Sequence, residues 1–121
     1  MSRHILTVDD SPSMRMLLDA SLTAQGFTVS SAEDGAQGLA AAKAAPPDLI
    51  ITDINMPVMD GFELIEAARA DSELRLLPIL VLSTEFSDDK KARARSAGAT
   101  GWITKPFEAD KLAAAIRRVC P

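Results

Sequence analysis

Five short apolar runs recur along the chain, at Ile5 to Val8, Thr28 to Ser31, Leu49 to Thr52, Ile79 to Leu82 and Trp102 to Thr104. Each predicts a strand, and the segments between them carry apolar residues at helical spacing. Ile5-Leu6-Thr7-Val8, Leu49-Ile50-Ile51-Thr52 and Ile79-Leu80-Val81-Leu82 are almost continuous in apolar or β-branched side chains. Strands of that kind are covered on both faces, as in a parallel sheet.

Helix punctuation agrees with this placement. Ser11-Pro12 supplies an N-cap and a first-turn proline, Met14, Leu17, Leu18 and Leu22 form an apolar stripe, and Gly26 ends the helix. A second helix starts near Asp34, with Gln37 in capping-box position, and stops before Pro46-Pro47. Gly61 to about Ala70 predicts a third, with Phe62 and Ile65 inward. A fourth opens at Ser87, has Asp88 and Asp89 in its first turn and ends before Gly98, with only alanines for an apolar stripe. The last runs from about Glu108 to Cys120, with Leu112, Ala115, Ile116 and Val119 on one face. Alternation of this kind implies right-handed crossovers and a (βα)5 three-layer domain, compatible with the flavodoxin-like strand order 2-1-3-4-5.

Composition narrows the function. The chain has 121 residues, 47% hydrophobic and 25% charged, which fits one globular domain over residues 1–121. A formal charge of −4 argues against nucleic acid as the main partner. No apolar run approaches membrane-span length and no cleavable signal pattern is visible, so the expectation is a cytoplasmic protein. One cysteine, Cys120, excludes an internal disulfide and a cysteine-based zinc site, and one histidine, His4, argues against a Ser/His/Asp triad or a His-rich metal site. Cys120 reads as a packing residue, and His4 has no evident partner. Met14 and Met16 are expected in the core or a groove, and Met56 and Met59 beneath the loop after the third strand.

Charge is unevenly placed. Residues 1–86 carry 5 Lys/Arg against 13 Asp/Glu, whereas residues 87–121 carry 8 against 4. Taken alone, the basic third is an ordinary solvated face.

In open parallel sheets ligands sit beyond the carboxyl ends of the strands. There the chain places Asp9 and Asp10, Asp53, Ser83 and Thr84, and Lys105-Pro106, while the second strand ends in the less informative Ser30-Ser31-Ala32-Glu33. A lone Asp at a strand end is ordinarily a cap or turn residue. Three in one crevice are another matter, because two carboxylates about 4 Å apart repel by about 4 kcal/mol at an effective dielectric of 20. A hard divalent ion is the natural remedy, and an all-oxygen donor set favours Mg²⁺ or Mn²⁺. An ion with open coordination places, a lysine and a threonine hydroxyl suit the oxygens of a phosphoryl group, for which a carboxylate can be the nucleophile.

Asp9-Asp10, the segment Asp53-Ile54-Asn55-Met56-Pro57-Val58-Met59-Asp60-Gly61, Ser83-Thr84 and Lys105-Pro106-Phe107 resemble the signature set of response-regulator receiver domains of two-component signalling. The chain ends one helix after Lys105, so it is most similar to the stand-alone chemotaxis type. The resemblance implies a phosphoacceptor protein that assists only its own phosphorylation and dephosphorylation. Asp53 accepts the phosphoryl group from a histidine kinase. Asp9, Asp10, Asp53 and the backbone carbonyl of Asn55 hold Mg²⁺, Thr84 and Lys105 bind the phosphoryl oxygens, and the Lys105-Pro106 bond is cis. Trp102 occupies the aromatic switch position paired with Thr84. The surface of the fourth helix, fifth strand and fifth helix, with Lys90, Lys91, Arg93, Trp102 and Lys111, then reads as a docking face for an acidic downstream protein such as a flagellar motor switch. A phosphatase is a further possible partner, and a phosphate sink for a shared kinase or a receiver outside chemotaxis would carry the same residues.

Three departures stand out. Glu85 follows Thr84 where the family usually has a small residue, placing another carboxylate at the site mouth; Phe86 falls where the family tunes phosphoryl lifetime; Trp102 lacks the hydroxyl of the commoner tyrosine. Rival readings are weaker. Hydrolases resembling the haloacid dehalogenase class place their DxD motif after the first strand, whereas Asp53-Ile54-Asn55 follows the third. A flavodoxin-like cofactor binder needs a phosphate loop where Asp9-Asp10-Ser11-Pro12 would repel FMN.

Overall fold

In the computed structural model, which describes residues 3–120, the apolar runs become β1 (His4–Val8), β2 (Thr28–Ala32), β3 (Leu49–Thr52), β4 (Ile79–Ser83) and β5 (Gly101–Thr104). The helices between and after them are α1 (Pro12–Ala24), α2 (Gly35–Ala44), α3 (Gly61–Ala70), α4 (Asp88–Ala97) and α5 (Ala109–Val119). All strand pairs are parallel, in the order β2-β1-β3-β4-β5, which is the predicted flavodoxin-like (βα)5 architecture.

Strand alternation sorts the apolar side chains into two layers. Ile50, Ile79 and Val81 meet Phe62, Leu64, Ile65 and Ala94 from α3 and α4. Leu49, Ile51, Leu80 and Leu82 meet Leu18, Leu22, Leu112 and Ile116 from α1 and α5. Fully burying one such side chain stabilises the fold by about 1.5–3 kcal/mol, which makes the three central strands the firmest part of the domain. β5, at the sheet edge, is half-exposed.

Helix starts are set by short polar side chains. Ser11, Asp34, Asp60 and Ser87 each accept a backbone N–H at the head of α1, α2, α3 and α4. The complete capping box belongs to α3, where Asp60 and Glu63 bond reciprocally. At α2 only half forms, because the Gln37 side chain donates to Glu33 at 2.9 Å. α4 ends on Gly98 at φ 114°, a left-handed position that favours glycine.

Three expectations need correction. Leu17 is 52% exposed and Met16 73% exposed, since a stripe through Met14, Leu18 and Leu22 leaves positions 16 and 17 rotated toward solvent. His4 has a partner, its Nε2 lying 2.6 Å from the Ser30 hydroxyl across the β1–β2 pair. Cys120 is half-buried, its Sγ–H donating to the Asp48 carbonyl oxygen at 3.6 Å, and Met56 and Met59 pack against the core.

Gly61 is where the fold most closely constrains the site. A Cβ there would lie 2.2 Å from the Asp53 carbonyl oxygen and 2.9 Å from the Ile54 Cα, while its N–H donates to the Ile54 carbonyl at 2.8 Å. Both obstructing atoms are backbone, so a side chain can enter only by moving the segment that carries Asp53. Gly61→Ala is therefore expected to lower unfolding free energy by about 2–3 kcal/mol, read from the urea midpoint.

Candidate functional site: an acidic crevice at the strand ends

Register brings the polar residues together. Val8 of β1 is paired with Thr52 of β3, so the next residues, Asp9 and Asp53, emerge side by side. Ladder-like bonds continue one residue further: Asp53 N–H donates to the Val8 carbonyl at 2.9 Å, Asp9 N–H to Ala32 at 3.1 Å, and Lys105 N–H to Ser83 at 2.8 Å. Each site residue is thus held by backbone before its side chain makes any contact.

Carboxylate oxygens of Asp9, Asp10 and Asp53 all lie within 4.8 Å of one another. Asp9 is buried, Asp53 half-buried and Asp10 exposed, so the cluster forms a cleft open on one side. Lys105 reaches in from the end of β5, its Nζ 2.9 Å from both Asp9 Oδ2 and Asp53 Oδ2. The second Asp53 oxygen accepts the Ile54 N–H at 2.7 Å, and Asp9 Oδ1 accepts the Ser11 N–H at 2.9 Å. Arg15 steadies the same turn by donating to the Asp9 carbonyl at 2.7 Å.

Burial by itself would pull the Lys105 ammonium down, but hydrogen bonds and charge attraction from Asp53 and Asp9 outweigh it and hold the group above the ordinary lysine value. Its stabilising effect is therefore fully present below that ordinary value and is lost only as pH rises through the still higher folded one. Three carboxylates and one ammonium leave a formal deficit of two positive charges. A set of oxygen donors with that deficit fits a hard divalent cation.

The other expected site residues lie after β3 and β4 and on β5. Thr84 is exposed at the end of β4, beside buried Ser83, whose hydroxyl accepts the Glu85 N–H at 3.2 Å. The Lys105-Pro106 bond is cis. The Asn55 side chain is exposed and donates to Glu85 Oε1 at 3.3 Å. Trp102 is half-buried, its indole N–H donating to the Glu85 carbonyl at 3.1 Å.

The basic residues differ in what they touch. Lys90 pairs with Glu85 at 2.9 Å, and the Arg93 guanidinium lies 4.0 Å over the Phe62 ring. Lys91 and Trp102 line a cavity of about 230 Å³ between α4 and β5. Lys111 pairs loosely with Glu108 at 3.4 Å and borders a separate groove with Ile103 and Phe107. The contacts of Glu85 with Lys90 and Asn55 were not readable from the chain. Only the unusual carboxylate after Thr84 signalled that position.

Sheet order and an acid cluster beyond its strand ends define a flavodoxin-like α/β protein with a cation-competent crevice. The chain belongs to the response regulator receiver domain family, whose pattern matches residues 5–117. It is 38% identical to the chemotaxis protein CheY of Pseudomonas aeruginosa over 116 residues, covering 95% of this chain and 94% of that one. Among solved structures, Vibrio cholerae CheY4 superimposes with a TM-score of 0.93 at 44% identity, covering 98% of this chain and 99% of that one. The receiver domain of the Pseudomonas aeruginosa sensor histidine kinase PA1611, solved with magnesium coordinated in its active-site cleft, superimposes with a TM-score of 0.92 at 28% identity, covering 99% and 98%. The family is one of signalling proteins rather than turnover enzymes, and no described helix is long and apolar enough to cross a membrane.

Lys105→Met leaves Asp9 and Asp53 facing each other without their shared ammonium. In metal-free buffer this substitution is expected to lower stability by about 2–4 kcal/mol. Millimolar Mg²⁺ should restore most of the loss, because a divalent ion meets the same two oxygens. Urea denaturation with EDTA and with Mg²⁺ measures both effects.

Proposed function

We propose that the protein is a single-domain response regulator of a chemotaxis two-component system, one receiver unit over residues 1–121, working in the cytoplasm. Asp53 accepts a phosphoryl group from the phosphohistidine of a histidine kinase. The observation that carries this reading is the Asp53 carboxylate itself, at the carboxyl end of β3, with Lys105 Nζ at 2.9 Å and two further acids completing a cation-competent cluster.

In the proposed reaction an Asp53 oxygen attacks phosphorus, the P–O bond forms as the P–N bond breaks, and the kinase imidazole leaves and takes up a proton. Mg²⁺, held by Asp9, Asp10, Asp53 and the Asn55 backbone carbonyl, would screen the charge of the phosphoryl oxygens when bound. Lys105 is already aimed at Asp53 and moves its contact from carboxylate to phosphoryl oxygen. Thr84, exposed in the resting protein, turns its hydroxyl inward to a second oxygen. Trp102 and the face with Lys90, Lys91, Arg93 and Lys111 then present a changed surface to an acidic downstream protein.

Incubation with a radiolabelled phosphohistidine donor should give a hydroxylamine-labile label on the wild type and none on Asp53→Asn. A label that survives this substitution would assign the chemistry to another residue. Capture of a target only by the beryllofluoride-treated protein is the expected result for an effector, whereas a phosphate sink captures nothing in either form.

A further inference from the structure

We propose that Glu85 tethers α4 to the mouth of the site in the resting protein, and that phosphorylation of Asp53 releases this tether. The inference rests on the phosphoacceptor role of Asp53 and extends it to a positioning residue outside the acid cluster.

Glu85 is where four structural threads meet. Its Oε1 receives the Lys90 ammonium of α4 at 2.9 Å and the Asn55 amide of the loop after β3 at 3.3 Å. Its backbone carbonyl receives the Trp102 indole of β5 at 3.1 Å, and its N–H donates to Ser83 at 3.2 Å.

Lys90 needs this partner. It lies in the first turn of α4, its N–H on the Ser87 cap at 3.3 Å, where the helix dipole disfavours a positive charge. Little else holds that end, because Ala94 is the only buried residue of α4 among those described. The other end is firmly fixed: Arg69 donates to the Gly98 carbonyl at 2.9 Å and to the Leu77 carbonyl at 2.7 Å. α4 is thus clamped at its C-terminus, while its first turn is held by the Ser87 cap and by the Glu85 carboxylate.

Phosphorylation acts on that carboxylate in two ways with the same sign. Asp53 exchanges one negative charge for a group of about −1.5 to −2 two residues from Asn55, the residue that Glu85 holds. Thr84, bonded directly to Glu85, draws Glu85 along when its hydroxyl turns to the phosphoryl oxygen. Lys90 is then freed on the basic face.

A contact made only in the resting state opposes phosphoryl binding by its own free energy, so removing either partner must tighten that binding. This separates a tether from a mere electrostatic barrier. As a barrier, loss of the Glu85 charge would strengthen binding of an anionic phosphoryl mimic, and loss of the Lys90 charge would weaken it.

The test is titration of the wild type, Glu85→Gln and Lys90→Met with beryllofluoride at saturating Mg²⁺, followed by Trp102 fluorescence. Both variants should bind about two- to fivefold more tightly than the wild type, the range of an exposed ion pair. In metal-free protein, the Lys90 and Lys91 amides should exchange hydrogen faster in both variants. Weaker or unchanged binding by Lys90→Met overturns the tether while leaving the phosphoacceptor reading intact. A wild type that gives no response to beryllofluoride overturns both.

Discussion

Asp9 and Asp53 share one ammonium, that of Lys105, at 2.9 Å from each, and the rest of the molecule is arranged around that contact. The acids are brought together by the pairing of Val8 with Thr52, a feature of the sheet and not of the side chains. Register on the covered strands is fixed by the core, since slipping β3 by one residue would turn Ile50 and Ile51 to the wrong faces. Hydrophobic burial therefore holds like charges together, and a lysine from the opposite end of the sequence makes their proximity tolerable. The same lysine sits where an incoming anion would be met, so the contact that stabilises the resting site is also the one a phosphoryl group would take over.

Much of this was readable in the chain, for identifiable reasons. β3 and β4 announce themselves because strands buried on both faces need unbroken apolar runs, and α3 is bracketed by Asp60 and the Pro-free run after it. Asp9, Asp53 and Lys105 stand directly after strands, at positions that topology alone marks as the mouth of a parallel sheet. The features that escaped depend on rotation or on distant pairing. Leu17 looks apolar enough for the stripe but lies a third of a turn away from Leu18. His4 meets Ser30 only because β1 and β2 pair, and Asn55 meets Glu85 across 30 residues of chain. No local pattern encodes such contacts.

Stability is distributed so that the acid cluster and the α4 face differ in stiffness. The central strands carry fully buried Ile, Leu and Val side chains, whereas α4 offers the core little more than Ala94. Local opening follows buried apolar contact, so α4 belongs to the low-stability end of the domain. Arg93 lying over Phe62 and the Arg69 clamp on Gly98 hold the helix to α3 without anchoring its first turn in the core.

That asymmetry decides which way a signal can travel. A perturbation at Asp53 cannot spread through β3 or β1 without breaking close-packed layers, and such layers resist small displacements. Through Thr84 and Glu85 it meets only exposed or half-buried polar contacts, each individually weak and each replaceable by water. In the proposed switch, the path from the acid cluster therefore runs along the end of β4 to the first turn of α4 and to Trp102. Four basic residues, Lys90, Lys91, Arg93 and Arg95, lie on α4, and a negative group added at Asp53 would be felt there as a change in which acids the lysines face.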